Sequence, residues 1–321
     1  MARKNTLWAA EADLAKNLSG KTYVVTGANS GVGLETTRQL VRQGAHVVMA
    51  CRRVEAGEEV AKSFGGLAGS FEVLHCDLAD LNAVRRFVFA FKKQHNKLDG
   101  LVCNAGAVIM GNEAKYTDQG FEMTMAASFF GHFLLTECLL DELKAADDAR
   151  IGILSSVVHA NSPTKRYDLD FDDLNWKTRK YSAFDAYGEA KLANVLYALE
   201  LGQRLAGTGV TPTSIHPGWA RSNFGRGNGM LMDVVFTIIS PLTRSMSDSN
   251  WASAQTSLHV LLNDDVPNHP GAYFSQSSVL YRDKECRDGG WPMASPNPNA
   301  NDLAKAQRLV AEARALVGLN G

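Results

Sequence analysis

Short apolar runs alternate with longer amphipathic stretches along most of this 321-residue chain. KTYVVTGA reads as a buried strand, and GVGLETTRQLVRQG follows it with the apolar spacing of a helix. HVVMAC, FEVLHCDL, LDGLVCNAG, IGILSS and GVTPTSIHPG are further strands. The helical stretches between them are VEAGEEVAKSFG, NAVRRFVFAFKKQH, FFGHFLLTECLLDELKAA and FDAYGEAKLANVLYALELGQRLAG. Apolar strands separated by helix-length crossovers belong to a parallel sheet covered on both faces. The expectation is therefore an α/β fold with a doubly wound, Rossmann-type parallel sheet. No stretch has linker composition and no internal repeat is visible, so residues 21–321 read as a single domain behind an amphipathic extension, 1–20.

Beyond Pro217 the alternation weakens. Gly-rich NFGRGNG precedes MLMDVVFTIISPL, an apolar stretch read as a lid near 224–245. A helix (NWASAQTSLHVLL), a short strand (GAYFS), a Pro/Asn-rich loop (SPNPNAND) and a C-terminal helix over 302–317 follow. In that last helix Leu303, Ala306, Val310, Ala313 and Val317 share a face expected to dock on the core.

A net charge of −1 supplies no general attraction for nucleic acid or anionic membrane. Cys51, Cys76, Cys103, Cys138 and Cys286 are scattered and odd in number, which suits reduced thiols in a cytoplasmic protein better than a disulfide framework. MARKNTLWAAEADLAKNL is too charged for a secretory leader. The longest apolar stretch, Met230 to Pro241, contains Asp233 and is too short to span a bilayer. Peripheral membrane contact through the N-terminus stays open, as does the choice between monomer and homo-oligomer.

The first strand runs through Thr26, Gly27, Ala28, Asn29, Ser30, Gly31, Val32 and Gly33 straight into a helix. Gly27, Gly31 and Gly33 allow a tight turn and close approach of backbone to a pyrophosphate. The free N–H groups of the helix end then face the phosphates. The spacing is G-x-x-x-G-x-G, not the G-x-G-x-x-G of the dinucleotide fingerprint. The second strand ends in Cys51-Arg52-Arg53, where an NAD site would place an acidic residue. Guanidinium forks suit a 2′-phosphate, so the expected cofactor is NADP(H). The competing reading of this pair is a solvated basic turn.

Tyr187 and Lys191 stand four residues apart at the start of a long helical stretch, on one face of it. A tyrosine, with a pKa of about 10, is a poor base at neutral pH, and an adjacent ammonium lowers that value. The competing reading is an exposed helix pair without chemistry. Ser155-Ser156 ends one preceding strand, and Asn104-Ala105-Gly106 another, suited to the ribose side of a cofactor. In a doubly wound sheet ligands bind beyond the carboxyl ends of strands. The glycine turn, Arg52, Asn104, Ser156 and Pro217-Gly218 all occupy such ends.

With these residues in this order, the stretch from Lys21 to Ser222 resembles the short-chain dehydrogenase/reductase family. The resemblance implies Tyr187 as general acid/base, Lys191 as the group that lowers its pKa and holds the nicotinamide ribose, and Ser156 as the hydroxyl on the substrate oxygen. Ser156 is preferred to Ser155 because the family's serine is usually second of such a pair. Asp77, with Leu78 beside it, would contact adenine, and Pro217, Gly218 and Trp219 would lie at the nicotinamide end. SSVVHANS, AYGEAKLANVLYALEL and SIHPGWARSNF resemble the retinol-dehydrogenase-like branch, which interconverts lipophilic carbonyls and alcohols. VVMACR, LDGLVCNA and ALVGL are similar to its relative, light-dependent protochlorophyllide reductase. Trp219 stands where that photoenzyme typically has cysteine, and the Ser156–Tyr187 segment is shorter, which favours the dark reductase.

Ser128 occupies the position where many members carry an asparagine that ties the lysine to a water relay; a shorter side chain leaves room for water there. A non-catalytic NADP(H) sensor or scaffold is the remaining alternative, against which stand Ser156, Tyr187 and Lys191 together. Met230, Met232, Phe236, Ile238 and Ile239 in the lid imply a large lipophilic substrate, or equally a core helix or dimer contact. His132, His159 and His216 do not pair at helical ligand spacing with another His, Cys or carboxylate, so no metal is expected.

Overall fold

The computed structural model describes residues 7–161, 165–220, 248–276 and 290–319. The expected lid and Cys286 lie outside the described residues. The elements, in chain order, begin with α1 (Glu11–Leu14), β1 (Thr22–Thr26), α2 (Gly31–Arg42), β2 (His46–Cys51), α3 (Val54–Ala61) and β3 (Ser70–His75). They continue through α4 (Leu81–Gln94), β4 (Gly100–Cys103), α5 (Met123–Met125), α6 (Gly131–Cys138), α7 (Leu140–Lys144) and β5 (Ala149–Leu154). The last are α8 (Ala183–Arg204), β6 (Val210–His216), α9 (Asn250–Leu262), β7 (Tyr273–Ser275) and α10 (Leu303–Leu316).

Among the described residues every strand pair is parallel, and seven strands run β3-β2-β1-β4-β5-β6-β7. The order reverses between β1 and β4, and that switch point is where a doubly wound sheet opens a crevice for ligands. Two apolar layers sandwich the sheet. One gathers Phe87 and Phe91 of α4, Phe133 of α6, Leu192 and Leu196 of α8 and Leu309 of α10. The other gathers Leu40 and Val41 of α2 with Leu258 and Leu261 of α9.

Residues 7–20 of the N-terminal extension are docked. Leu7 and Gln276 exchange two hydrogen bonds, 2.8 and 2.7 Å, and Gln43 Nε2, just after α2, donates to the carbonyl of Asp13 at 2.8 Å. Ala9, Leu14 and Leu18 thus pack into the second layer, although Trp8 remains 55% exposed. The apolar stripe of α10 also differs from expectation. Leu303, in the first turn after the Asp302 cap, is exposed, and Leu309 is buried with Ala306, Val310, Ala313 and Val317. Among the described residues, no helix is long and apolar enough to cross a membrane.

Between α5 and α6 the helix widens into a π turn, Ala126–Phe130. Such turns concentrate at functional sites because they bulge one residue out of register. Ser128 sits in its middle.

Candidate active site

The crevice at the β1/β4 switch is walled by the glycine turn. Gly27 and Gly31 have φ of +63° and +58°, left-handed values that disfavour side chains. A Cβ at Gly33 would collide with the Asn104 amide and the Gly27 carbonyl. Asn104 closes the turn through Nδ2, which donates to the Thr26 carbonyl at 2.8 Å. Ser30 caps α2 in extended conformation without a side-chain bond, leaving the first N–H groups of the helix facing outward with Asn29, while Val32 is buried. The backbone here fits a pyrophosphate: a narrow turn, no intruding side chains and a positive helix end.

The other residues expected at a cofactor stand around this turn as follows. Gly27 N donates to Ala50 O at 3.0 Å, which sets the end of β2 beside the turn. Arg52 and Arg53 follow and are exposed, with no ion pair among the described residues. Beneath them the Cys51 thiol is pushed up to about 11 by burial, so it stays protonated. Asp77 is half-buried and holds its own loop, accepting from Ala79 N at 3.0 Å, and Leu78 is buried. Gly218 has φ +83° and packs against Asp248 and Gln276, while Trp219 is 47% exposed.

Ser155 and Ser156 separate cleanly. Ser155 is buried, and its hydroxyl donates to the Lys191 carbonyl at 2.7 Å. Ser156 opens into the crevice, accepts from Val158 N at 3.3 Å and hydrogen-bonds the Tyr187 phenol, a contact that draws the phenol pKa down. Burial outweighs it and drives Tyr187 above the ordinary tyrosine value. The sequence expectation of a lowered pKa therefore fails in this state, and the reason is geometric. Lys191 Nζ lies 5.6 Å from the Tyr187 ring centroid and donates instead to the Leu154 carbonyl at 2.8 Å. Burial lowers Lys191 itself to about 8. Gly106 makes room for it, since a Cβ there would lie 3.3 Å from Nζ and 3.7 Å from Ser128 Oγ.

Ser128 does not point its hydroxyl at Lys191. Its Oγ donates to Ala107 O at 3.0 Å and accepts from Ala107 N at 3.3 Å, pinning the loop after Gly106. The residue that links the π turn to the lysine is Asn194. Its Nδ2 donates to Ser128 O at 3.1 Å and to Leu154 O at 2.9 Å, the same carbonyl that Lys191 uses. The amide Oδ1 is buried with no partner among the described residues. Asn194 follows Lys191 by one turn of α8, a spacing visible in the sequence whose partners are not.

Further supports were equally hidden. Thr26 Oγ1 accepts from Asn104 N and Ala105 N at 2.9 and 3.0 Å, donates to Val102 O at 3.3 Å and lies 2.8 Å from His132 Nε2. His132 is held to about 3 by burial and by the charge of Lys191, so its ring stays neutral. His159 lies between Ser156 O and Ser295 Oγ, both at 2.6 Å, and Asn297 Nδ2 donates to the carbonyls of His159 and Tyr167. The Pro/Asn-rich loop thus clamps the segment that carries Ser156.

The sequence pattern of the short chain dehydrogenase family matches residues 21–166. Human retinol dehydrogenase 13 is 38% identical over 305 residues, 94% of this chain and 86% of that protein. The crystal structure of an uncharacterized protein from Mycobacterium Paratuberculosis superposes with a TM-score of 0.72 at 29% identity, covering 97% of this chain and 98% of that one. The Pseudomonas aeruginosa RhlG/NADP active-site complex shares the fold, with a TM-score of 0.62 at 21% identity over 81% of this chain and 95% of that one. Identity of this extent to a retinol dehydrogenase, over a parallel sheet that brings Ser156, Tyr187 and Lys191 together, shows that the chain belongs to the short chain dehydrogenase family.

Proposed function

We propose that this protein is an NADP(H)-dependent oxidoreductase that interconverts a lipophilic carbonyl and its alcohol. The observation that carries this reading is the meeting of Ser156, Tyr187 and Lys191 beside a glycine cradle at the sheet's switch point. The likeness to retinol dehydrogenase 13 and to an NADP-bound structure of the same fold supports it. The turn from Gly27 to Gly33 would receive the pyrophosphate, and Arg52 and Arg53 the 2′-phosphate. Asp77 and Leu78 would flank the adenine. Asn104, Ala105, Gly106 and Lys191 would line the nicotinamide ribose, with Pro217, Gly218 and Trp219 closing the far side.

The bound cofactor supplies the hydride. Tyr187 supplies the proton: its raised pKa keeps the phenol protonated at neutral pH, ready to donate as negative charge develops on a carbonyl oxygen. Ser156, already bonded to that phenol, is placed to hold the same oxygen. Lys191, at about 8, is mostly charged at pH 7 and would stabilise the phenolate left behind once its Nζ turns from the Leu154 carbonyl toward the phenol. The Ser–Tyr–Lys set gives this reading precedence over a pure NADP(H) sensor.

The test follows NADPH absorbance with retinal, medium-chain aldehydes, steroids and protochlorophyllide, in darkness and under illumination. Dark turnover with a lipophilic carbonyl is expected, and Tyr187→Phe should lower kcat by about 10²-fold or more while NADPH binding stays within twofold. Undiminished turnover in that variant rejects the tyrosine. Pigment reduction only in light identifies a photoenzyme, and NADPH binding with no turnover across the panel favours the sensor.

A further inference from the structure

At the end of the sheet remote from the glycine turn, β2 begins with His46, β3 carries Glu72, and His95 directly follows α4. The parallel register sets Ser70 beside His46, with Glu72 two residues further along the same face. His95 lies one helical turn beyond Phe91, its ring 4.8 Å from that of Phe91 and 5.2 Å from that of His46. Strand pairing and apolar packing therefore fix all three side chains from separate elements. Their wide separation in sequence explains why ligand spacing did not reveal them.

One nitrogen of each imidazole and a carboxylate oxygen of Glu72 all lie within 4.8 Å of one another. Glu72 Oε1 is 2.7 Å from His95 Nε2 and 3.5 Å from His46 Nε2. Ligands of a tetrahedral zinc ion at ~2.0–2.1 Å stand about 3.4 Å apart, so a small rotation at His95 admits the ion. The orientation of His46 is the telling feature. Its Nδ1 lies 2.8 Å from Ser70 Oγ, the kind of outer contact that fixes an imidazole tautomer for ligation. With Nδ1 donating to Ser70, Nε2 would turn a lone pair toward the Glu72 carboxylate 3.5 Å away, and that atom is buried without a hydrogen bond among the described residues. In that tautomer the lone pair facing a carboxylate is unfavourable until a cation lies between them.

We propose that His46, Glu72 and His95 form a binding site for a divalent transition metal of the zinc class, with water completing the coordination. Two imidazoles and one carboxylate suit zinc far better than calcium or magnesium. Side-chain exposures of 29%, 22% and 16% leave an entry path and room for the water. Lying away from the crevice, the ion would tie β2, β3 and the end of α4 together and stabilise the fold without entering the redox chemistry.

Full-length protein stripped with a chelator would be titrated with Zn²⁺ against a chromophoric competitor, and with Co²⁺ followed by visible absorption. One tight equivalent is expected, with a nitrogen/oxygen tetrahedral Co²⁺ spectrum and a Zn²⁺-dependent rise in Tm. His46→Gln and His95→Gln, checked for folding by circular dichroism, should each bind at least tenfold more weakly and lose the Tm rise. Glu72→Gln should behave alike should either histidine variant fail to fold. Absence of stoichiometric binding, affinity unchanged in the variants, or a thiolate-to-cobalt band placing the ion on cysteine would each overturn the proposal.

Discussion

Asn194 shows how much of the site's chemistry rests on a side chain that touches no reactant in the proposed scheme. It shares the Leu154 carbonyl with Lys191 and holds the Ser128 carbonyl of the π turn. Replacing it with alanine leaves Ser128 O short of a buried donor, at a cost of about 1–3 kcal/mol in stability. It also removes the competitor for the carbonyl that anchors Lys191, so the ammonium settles differently beside Tyr187. We expect Asn194→Ala to lower kcat about tenfold and displace the pH midpoint of kcat, with KM for NADPH little changed. Stopped-flow and steady-state pH profiles check this. A wild-type profile with lowered Tm would mean that the amide only braces the fold. Tyr187, Lys191 and Ser156 were legible because spacing and strand ends mark them. Asn194 was not, because its two carbonyl partners lie 66 and 40 residues away and backbone acceptors leave no trace in residue identity.

The helices and strands were legible where period and length agree, as in β1, α2, α4 and α8. What the pattern concealed was the interruption of one long helical stretch. FFGHFLLTECLLDELKAA reads as continuous, yet the chain passes through a π turn at Ala126–Phe130 and breaks again at Leu139. Gly131 explains the approach of α6 to the cofactor side. A Cβ there would strike the carbonyl of Leu78, so only glycine lets the helix lie against the loop that follows β3. Gly131→Ala must push the two apart, costing about 1–3 kcal/mol by overpacking. Because Asp77 and Leu78 share that loop, KM for NADPH should rise severalfold while kcat at saturation falls less. Isothermal titration with NADPH measures it, and unchanged affinity would separate the loop from the cofactor. The docking of residues 7–20 was not legible for a related reason: the anchors of Leu7 and Asp13 are the distant amides of Gln276 and Gln43.

Across the whole molecule, the sheet order assembles residues from β1, β4, β5, β6 and α8 at one rim, and the burial that positions them also sets the protein's response to acid. His132 and His216 are held to about 3, and His159 and His259 to about 4, in each case chiefly by burial. In the unfolded chain these rings protonate near the ordinary value of about 6.5. Above that pH neither state carries the extra protons, and the stability is fully present. As pH falls from about 6.5 toward 4 the unfolded state binds protons that the native state refuses, so stability drops, by ~1.4 kcal/mol per pH unit for each fully titrating histidine. Glu189 works the other way: burial raises it to about 7 against the pull of Arg179, so it favours the native state as pH falls below that value. Glu200 is raised by burial too, so four histidines oppose two carboxyls. Urea unfolding midpoints should therefore decline steeply between pH 6.5 and 4.5. His159→Gln, which keeps a polar side chain between Ser156 O and Ser295 Oγ, should lose stability at pH 7.5 yet show a shallower decline. Equal slopes for variant and parent would mean that His159 already carries its proton in the folded protein, and its contact with the backbone of Ser156 would then have to be read as that of a charged ring.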